Sequence, residues 1–271
     1  MPAASGESRF FLLMGAIGGS YVLLILLLLL ADIAYVSPGD FRAALGNPEI
    51  QAAISLTLKS CTVSAILSVI VGTALGYLLV RFQFWGKHIV NTLVDIPIVL
   101  PPLVLGLSLL ILFSRPLPGL GYSLDDWLRP RGLSITFTQW AVIVAQFSVA
   151  AAFAVRTMRV TFEQMNPRAE DVARTLGCTR SQAFLQVALP QAGPGMLTAF
   201  TIAWARSLGE FGPILVFAGA TRGRTEVLST SVFLELSIGH LEAAVAVSLL
   251  MVVLAVIVLS ILRLTGGRTG G

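Results

Sequence analysis

Apolar and polar positions fall in blocks along this chain. Six apolar blocks, at about residues 10–34, 52–80, 89–114, 136–158, 193–218 and 241–264, are each long enough to cross a hydrocarbon layer as a helix. The first carries no charge from Phe10 to Ala31. It is longer than the roughly 7–15 apolar residues of a signal-peptide core, so a retained helix is expected despite the cleavage-like Ala31-Asp32-Ile33-Ala34. The second holds Lys59 near its outer end, where a long side chain snorkels. The third carries Pro97, Pro101 and Pro102, which predict a kink or break. Breaks survive at membrane depth where protein or a cavity satisfies the freed carbonyls. Residues 32–49 read as a connection, residues 115–133 as a loop with a Pro-Leu-Pro-Gly turn and an Asp125-Asp126 pair, and residues 220–239 as mixed and amphipathic.

The longest polar stretch, Asn166 to Pro190, breaks this pattern. Its spacing predicts two short helices joined at a glycine. Asn166 suits a cap, with Pro167 at the first helical position. Glu170 and Asp171 lie near the positive end of the helix dipole. Ala169, Val172, Ala173 and Leu176 form one apolar stripe. Gly177 suits a left-handed position after the helix, and Thr179 with Gln182 has capping-box spacing for the next one. Pro190 marks the end of that helix or a kink in it. A helix pair at a membrane surface with an apolar stripe needs a partner to cover the stripe. The alternative is a solvated pair lying on the chain's own helix ends.

Composition agrees with the blocks. Of 271 residues, 56% are hydrophobic and 12% charged, against roughly 25% charged in soluble domains. An all-α integral membrane protein follows. A net charge of +4 with no long basic run argues against nucleic acid, even for a helix–turn–helix carrying Arg168, Arg174 and Arg180. Counting Lys and Arg by alternate connections gives ten on one side, the side of the 159–191 loop and both termini, and six on the other. That bias places the termini and the polar loop in the cytoplasm. Cys61 and Cys178 have no metal-ligand spacing, and His88 and His240 fall at opposite sides. There is no GxxxxGK[ST] loop for ATP and no HExxH. Charges inside the blocks are candidates for function because burying them is costly. These are Asp95 in the third block, and Arg206 and Glu210, four apart on one helix face, in the fifth. Arg206 and Glu210 read either as a local ion pair or as lining of a polar path. Ala199, Ala203 and Ser207, with Gly209 and Gly212, have the spacing of close helix packing.

The segment Asp171-Val172-Ala173, three residues, Gly177, nine residues, Val187-Ala188-Leu189-Pro190 resembles the EAA loop of ABC importer permeases. Asp171, Val172 and Val187 stand where the family pattern has Glu, Ala and Ile, and they keep charge or apolarity. Residues 97–106 (PIVLPPLVLG), 205–212 (ARSLGEFG) and 223–228 (GRTEVL) resemble molybdate, tungstate and sulfate permeases, many of which have proline where this chain has Ser229. The resemblance implies a six-span permease similar to the methionine-importer (type I) fold, in a cytoplasmic membrane, as a single domain. It implies two copies, expected to be identical, two ATPase subunits that hold ATP and magnesium, and an exported binding protein. No cofactor is expected in this chain. Residues 159–191 would be the coupling loop, with Asp171, Val172, Ala173, Leu176, Gly177, Phe184, Val187, Leu189 and Pro190 engaging the ATPase. Asp95, Pro101, Pro102, Ala203, Arg206, Ser207, Glu210 and Gly212 would line the path or pack its helices. The expected cargo is an oxyanion, molybdate or tungstate first and sulfate next. Ferric iron, thiamine and a polyamine are the alternatives within transport, and an intramembrane enzyme or a scaffold outside it.

Overall fold

The computed structural model describes residues 3–116, 119 and 121–266. Leu117 and Pro118 of the expected turn, and the glycine-rich tail from residue 267, lie outside the described residues. In chain order the helices are α1 (Ala3–Tyr35), α2 (Pro38–Gly46), α3 (Pro48–Arg81), α4 (Lys87–Val99), α5 (Pro102–Ser114), α6 (Leu124–Leu128), α7 (Gln139–Gln164), α8 (Arg168–Thr175), α9 (Arg180–Ala183), α10 (Leu189–Gln191), α11 (Gly193–Leu208), α12 (Gly212–Phe217), α13 (Leu228–Ser237) and α14 (Leu241–Gly266). A 3₁₀ turn covers Arg129–Arg131 and a π-turn Phe184–Ala188.

Among the described residues, four helices are long and apolar enough to cross a membrane alone: α1, α3, α7 and α14. The third predicted block is a broken pair, α4 and α5, bent by 115°. Pro101 and Pro102 donate no N–H to the preceding turn, and Leu100 and Pro101 turn extended. Pro97, by contrast, stays inside α4. The fifth block divides into α11 and the six-residue α12. Pro213 lacks an N–H for the Gly209 carbonyl and its ring would crowd that carbonyl in a continuous helix. The fourth block starts later and runs longer than expected, to Gln164, so the 159–191 loop begins as helix. The connections over residues 32–49 and 115–133 are also more ordered than a loop reading allows. Ser37 and Asp40 form a capping box on α2, and Ser123 and Asp126 another on α6. The Ser123 hydroxyl and N–H hold the Asp126 carboxyl below its usual range. Asp125 is buried and accepts from the Ile135 N–H at 2.8 Å.

The core is the α3–α7–α11 layer, and its closeness depends on small residues. A Cβ on Gly72 would lie 2.8 Å from the Ala154 carbonyl carbon, and one on Gly76 2.9 Å from Met158 Cβ. Polar side chains add hydrogen bonds two or more turns away along the same helices. Ser64 and Ser207 hydroxyls meet at 3.1 Å, and Gln146 Nε2 donates to the Ser207 carbonyl at 3.2 Å. α5 and α12 interlock in both directions: a Cβ on Gly106 would lie 2.7 Å from Pro213 Cα, and one on Gly212 3.0 Å from Pro102 Cβ. α1 buries none of its membrane-length window on its own chain and presents apolar side chains all round. A Gly72→Val substitution should separate α3 from α7 at a cost of about 1–3 kcal/mol. Its thermal unfolding in detergent should come several degrees early, and an unchanged midpoint would refute the close-packing account.

Candidate functional site

The polar loop is built to hold a fixed shape. Asn166 Oδ1 accepts from the Arg168 N–H at 3.0 Å, so it caps α8 with its side chain. At the other end Cys178 N–H donates to the Ala173 carbonyl and Gly177 N–H to the Arg174 carbonyl, both at 3.1 Å. This is the Schellman closure, and Gly177 supplies its positive φ, +98°. The next helix starts at once: Thr179 N–H donates to Gln182 Oε1 at 2.8 Å, and Gln182 N–H donates back to Thr179 Oγ1 at 3.3 Å. Pro190 lies in the short α10, which ends one residue later at Gln191. The π-turn over Phe184–Ala188 lets the chain run on through Leu189–Gln191, because widening the turn moves the carbonyl that the proline ring would strike.

One buried cluster fastens the loop to the membrane core. Glu170 accepts from the Tyr77 hydroxyl at 2.6 Å and from Arg81 Nε at 2.9 Å, and Arg81 Nη2 donates to the Met165 carbonyl at 3.2 Å. Phe184, expected among the docking residues, turns inward and stacks on Tyr77 with centroids 4.5 Å apart. Arg180 lies over the Phe82 ring. Three large apolar side chains of the loop also stay outward: Val172 is 56% exposed, Leu176 81% and Leu185 58%. Asp171 and Pro190 are also exposed, and Ala173, Val187 and Leu189 half-buried. Sequence reasoning missed Glu170, Tyr77 and Arg81 as a unit. The available signal was that Tyr77 and Arg81 lie four apart at the end of a span, on one helix face.

The intramembrane charges occupy two places. Arg206 Nη2 lies 2.5 Å from Glu210 Oε1, with the Arg206 side chain 33% exposed and that of Glu210 1%. The pair therefore forms, although α11 ends at Leu208 and Glu210 lies in the break. The Ser229 hydroxyl donates to the Glu210 carbonyl at 2.7 Å and ties α13 to that break. Ala203 and Ser207 are buried against the core, Gly212 packs on Pro102, and Pro101 is exposed beside it. Asp95 is not with them. It is exposed on α4, lining a cavity of about 330 Å³ with Asn91, Arg156, Arg159 and Glu163. At the other end of the molecule Arg222 clamps Glu49 of α3 and Glu235 of α13, and His240 Nδ1 lies 3.3 Å from Glu235. Glu226 beside this cluster is buried, which pushes its carboxyl above the usual range.

The family model described as binding-protein-dependent transport system inner membrane component matches residues 66–269. The chain is 32% identical to the sulfate transport system permease protein CysT of Escherichia coli (strain K12), over 92% of this chain and 90% of that one. It is 35% identical to the molybdenum transport system permease protein ModB of Mycobacterium tuberculosis (strain ATCC 25618 / H37Rv), over 80% of each. It is 33% identical to the molybdate/tungstate transport system permease protein WtpB of Thermococcus kodakarensis (strain ATCC BAA-918 / JCM 12380 / KOD1), over 83% of this chain and 82% of that one. Among solved structures, a chain of a bacterial alginate ABC transporter superposes with a TM-score of 0.73 at 20% identity, covering 98% of this chain and 97% of that one. A chain of the MetNI methionine ABC transporter superposes with a TM-score of 0.59 at 22% identity, covering 82% and 94%. These likenesses establish the fold.

Proposed function

Because the chain belongs to the family of binding-protein-dependent transport system inner membrane components, we propose that it is the permease subunit of an ATP-driven importer for a tetrahedral oxyanion: molybdate, tungstate or sulfate. An importer permease of this fold works with an ATPase and a substrate-binding protein. The observation that carries the reading is the loop at 166–191. It is capped at every turn, fastened through Glu170, and leaves Val172 and Leu176 outward with nothing of their own chain over them. An apolar patch on a rigid frame, beside the ends of α3 and α7, is suited to receive a partner and pass its motion to the helices. The ATPase is that partner, with Asp171, Ala173, Val187, Leu189 and Pro190 around the contact. ATP and magnesium belong to the ATPase. The three relatives described above are named for sulfate, molybdenum and molybdate/tungstate transport, which favours that cargo over iron, thiamine or a polyamine.

The six crossings are α1, α3, the α4–α5 pair, α7, the α11–α12 pair and α14, with a second identical copy completing the path. In this arrangement the Arg81–Glu170 cluster faces the cytoplasm and the Arg222 cluster faces outside. A C-terminal alkaline phosphatase fusion should then be inactive and a green fluorescent fusion bright, and the opposite pattern overturns the orientation. The function is tested by reconstituting the permease with its ATPase and binding protein in proteoliposomes and following labelled molybdate, tungstate and sulfate. ATP-dependent accumulation of at least one is expected. Accumulation of none of the three, by a complex that hydrolyses ATP, overturns the oxyanion reading.

A further inference from the structure

A groove of about 710 Å³ runs between the inner halves of α7 and α11. Its polar lining is Arg156, Thr157, Thr161 and Gln164 from α7, Gln191 from α10 and Thr198 from α11. Gly195 brings the helices together at its floor, where a Cβ would meet the Thr161 side chain at 2.3 Å. At its upper end lie Phe153 and Ile202, and the Arg206 guanidinium stands over the Phe153 ring, 5.8 Å from its centroid. At 1.5 Å per residue, Arg206 is about 20 Å along α11 from Gly193, near mid-membrane, and Arg156 is about 4.5 Å nearer the cytoplasm than Phe153.

The two arginines differ in how they are held. Arg159, their neighbour, is tied to Glu163 and Asn91. Arg156 is exposed and has no ion-pair partner among the described residues. Arg206 has one, Glu210, but Glu210 is the buried member and Arg206 the accessible one. A carboxylate sealed behind a guanidinium offsets the cost of keeping that cation in the membrane while its remaining N–H donors face out. The guanidinium fork matches two oxygens of a tetrahedral oxyanion, which a lysine ammonium does not. Partial neutralisation by Glu210 also keeps the hold weak enough for release, as conduction requires.

We propose that Arg206 and Arg156 are successive contacts for the divalent oxyanion on its way to the cytoplasm, with Arg206 keeping Glu210, offering the anion its remaining N–H donors and passing it down the groove to Arg156. The proposal rests on the oxyanion reading above. Thr157 and Thr198 donate their hydroxyls to their own helices, to the Phe153 and Pro194 carbonyls. The arginines therefore carry the specificity, with the amides of Gln164 and Gln191 at the mouth.

The test uses the complete complex in proteoliposomes, with uptake of labelled molybdate or sulfate measured per assembled complex. The double variant Arg206→Gln/Glu210→Gln removes both charges together and leaves no orphan, so assembly should hold while uptake falls about tenfold. Arg206→Lys, which keeps the charge and loses the fork, should fall between this and wild type. A structural role would leave the packing-equivalent double variant near wild type. Uptake by the double variant within about twofold of wild type therefore overturns the proposal. If the double variant does not assemble, Arg156→Gln decides: a fall of about threefold or more supports the relay, and a smaller one overturns it. Wild-type complex that takes up no oxyanion overturns the cargo reading and the relay together. Wild-type uptake with indifferent variants overturns the relay alone.

Discussion

Arg81→Ala is expected to release the coupling loop and stop transport, although the residue lies outside the loop and touches no proposed partner. Arg81 donates to Glu170 and to the Met165 carbonyl, and both charged side chains are nearly buried, 13% and 10% exposed. Removing the guanidinium leaves the Glu170 carboxylate with the Tyr77 hydroxyl but no countercharge. Breaking one side of such a pair costs on the order of 3 kcal/mol, the lower end of the range because burial is incomplete. That exceeds what holds an eight-residue surface helix such as α8 in place by its own propensity. The spans should insert normally, while ATPase recovered with the permease and uptake should each fall tenfold or more. Arg81→Ala/Glu170→Ala should recover part of both, because no unpaired charge is left. Full ATPase occupancy in the single variant would show that the cluster does not set the docking geometry.

Gly177→Val is expected to give nearly as large a loss by a different route. The space around Gly177 is open, so an added side chain strikes nothing. The whole penalty is in the backbone, whose φ of +98° a β-branched residue resists at a cost of about 1–2 kcal/mol. The loop can relax by opening the Schellman turn, which changes the angle between α8 and α9 and so the position of Leu176. Copurified ATPase and uptake should fall severalfold, with the permease at its normal membrane level. Gly177→Asn, which tolerates positive φ better, should lose less. Equal loss in both variants would point to the side chain rather than the turn.

The caps of this loop were legible in the sequence because each is a local chemical rule. Asn166, Gly177, and Thr179 with Gln182 act within a few residues of themselves, and the structure has the hydrogen bonds their spacing implies. The glycine and proline breaks were legible in kind but not in place. Proline forbids a bond four residues back without saying which side of it will bend. So Pro97 stays in helix α4, Pro101 and Pro102 lie at the break after it, and Pro190 is absorbed by a π-turn. What the sequence hid was contact across long separations. Glu170 reads as a first-turn acid suited to the helix dipole. Only the return of α3 beside α8 makes it the partner of Tyr77 and Arg81, about ninety positions away. Phe184 is expected at the ATPase contact from the resemblance alone, and stacking on Tyr77 turns it inward. The number of crossings also depends on how the bent α4–α5 pair and the broken α11–α12 segment lie in lipid, which periodicity does not encode.

The interlock of α5 with α12 constrains how this sequence can drift. Gly106 faces Pro213 and Gly212 faces Pro102, each at a separation with no room for a methyl group. A lineage cannot enlarge either glycine first and adjust later, because the intermediate would already be forced apart at one of two linked contacts. Change here has to be concerted, with glycine and proline gained or lost as partners. An alignment of relatives should therefore show residues 102, 106, 212 and 213 varying together more than with their own chain neighbours. Independent variation at these columns would mean that the two half-helices can slide, and that the close approach is one arrangement among several.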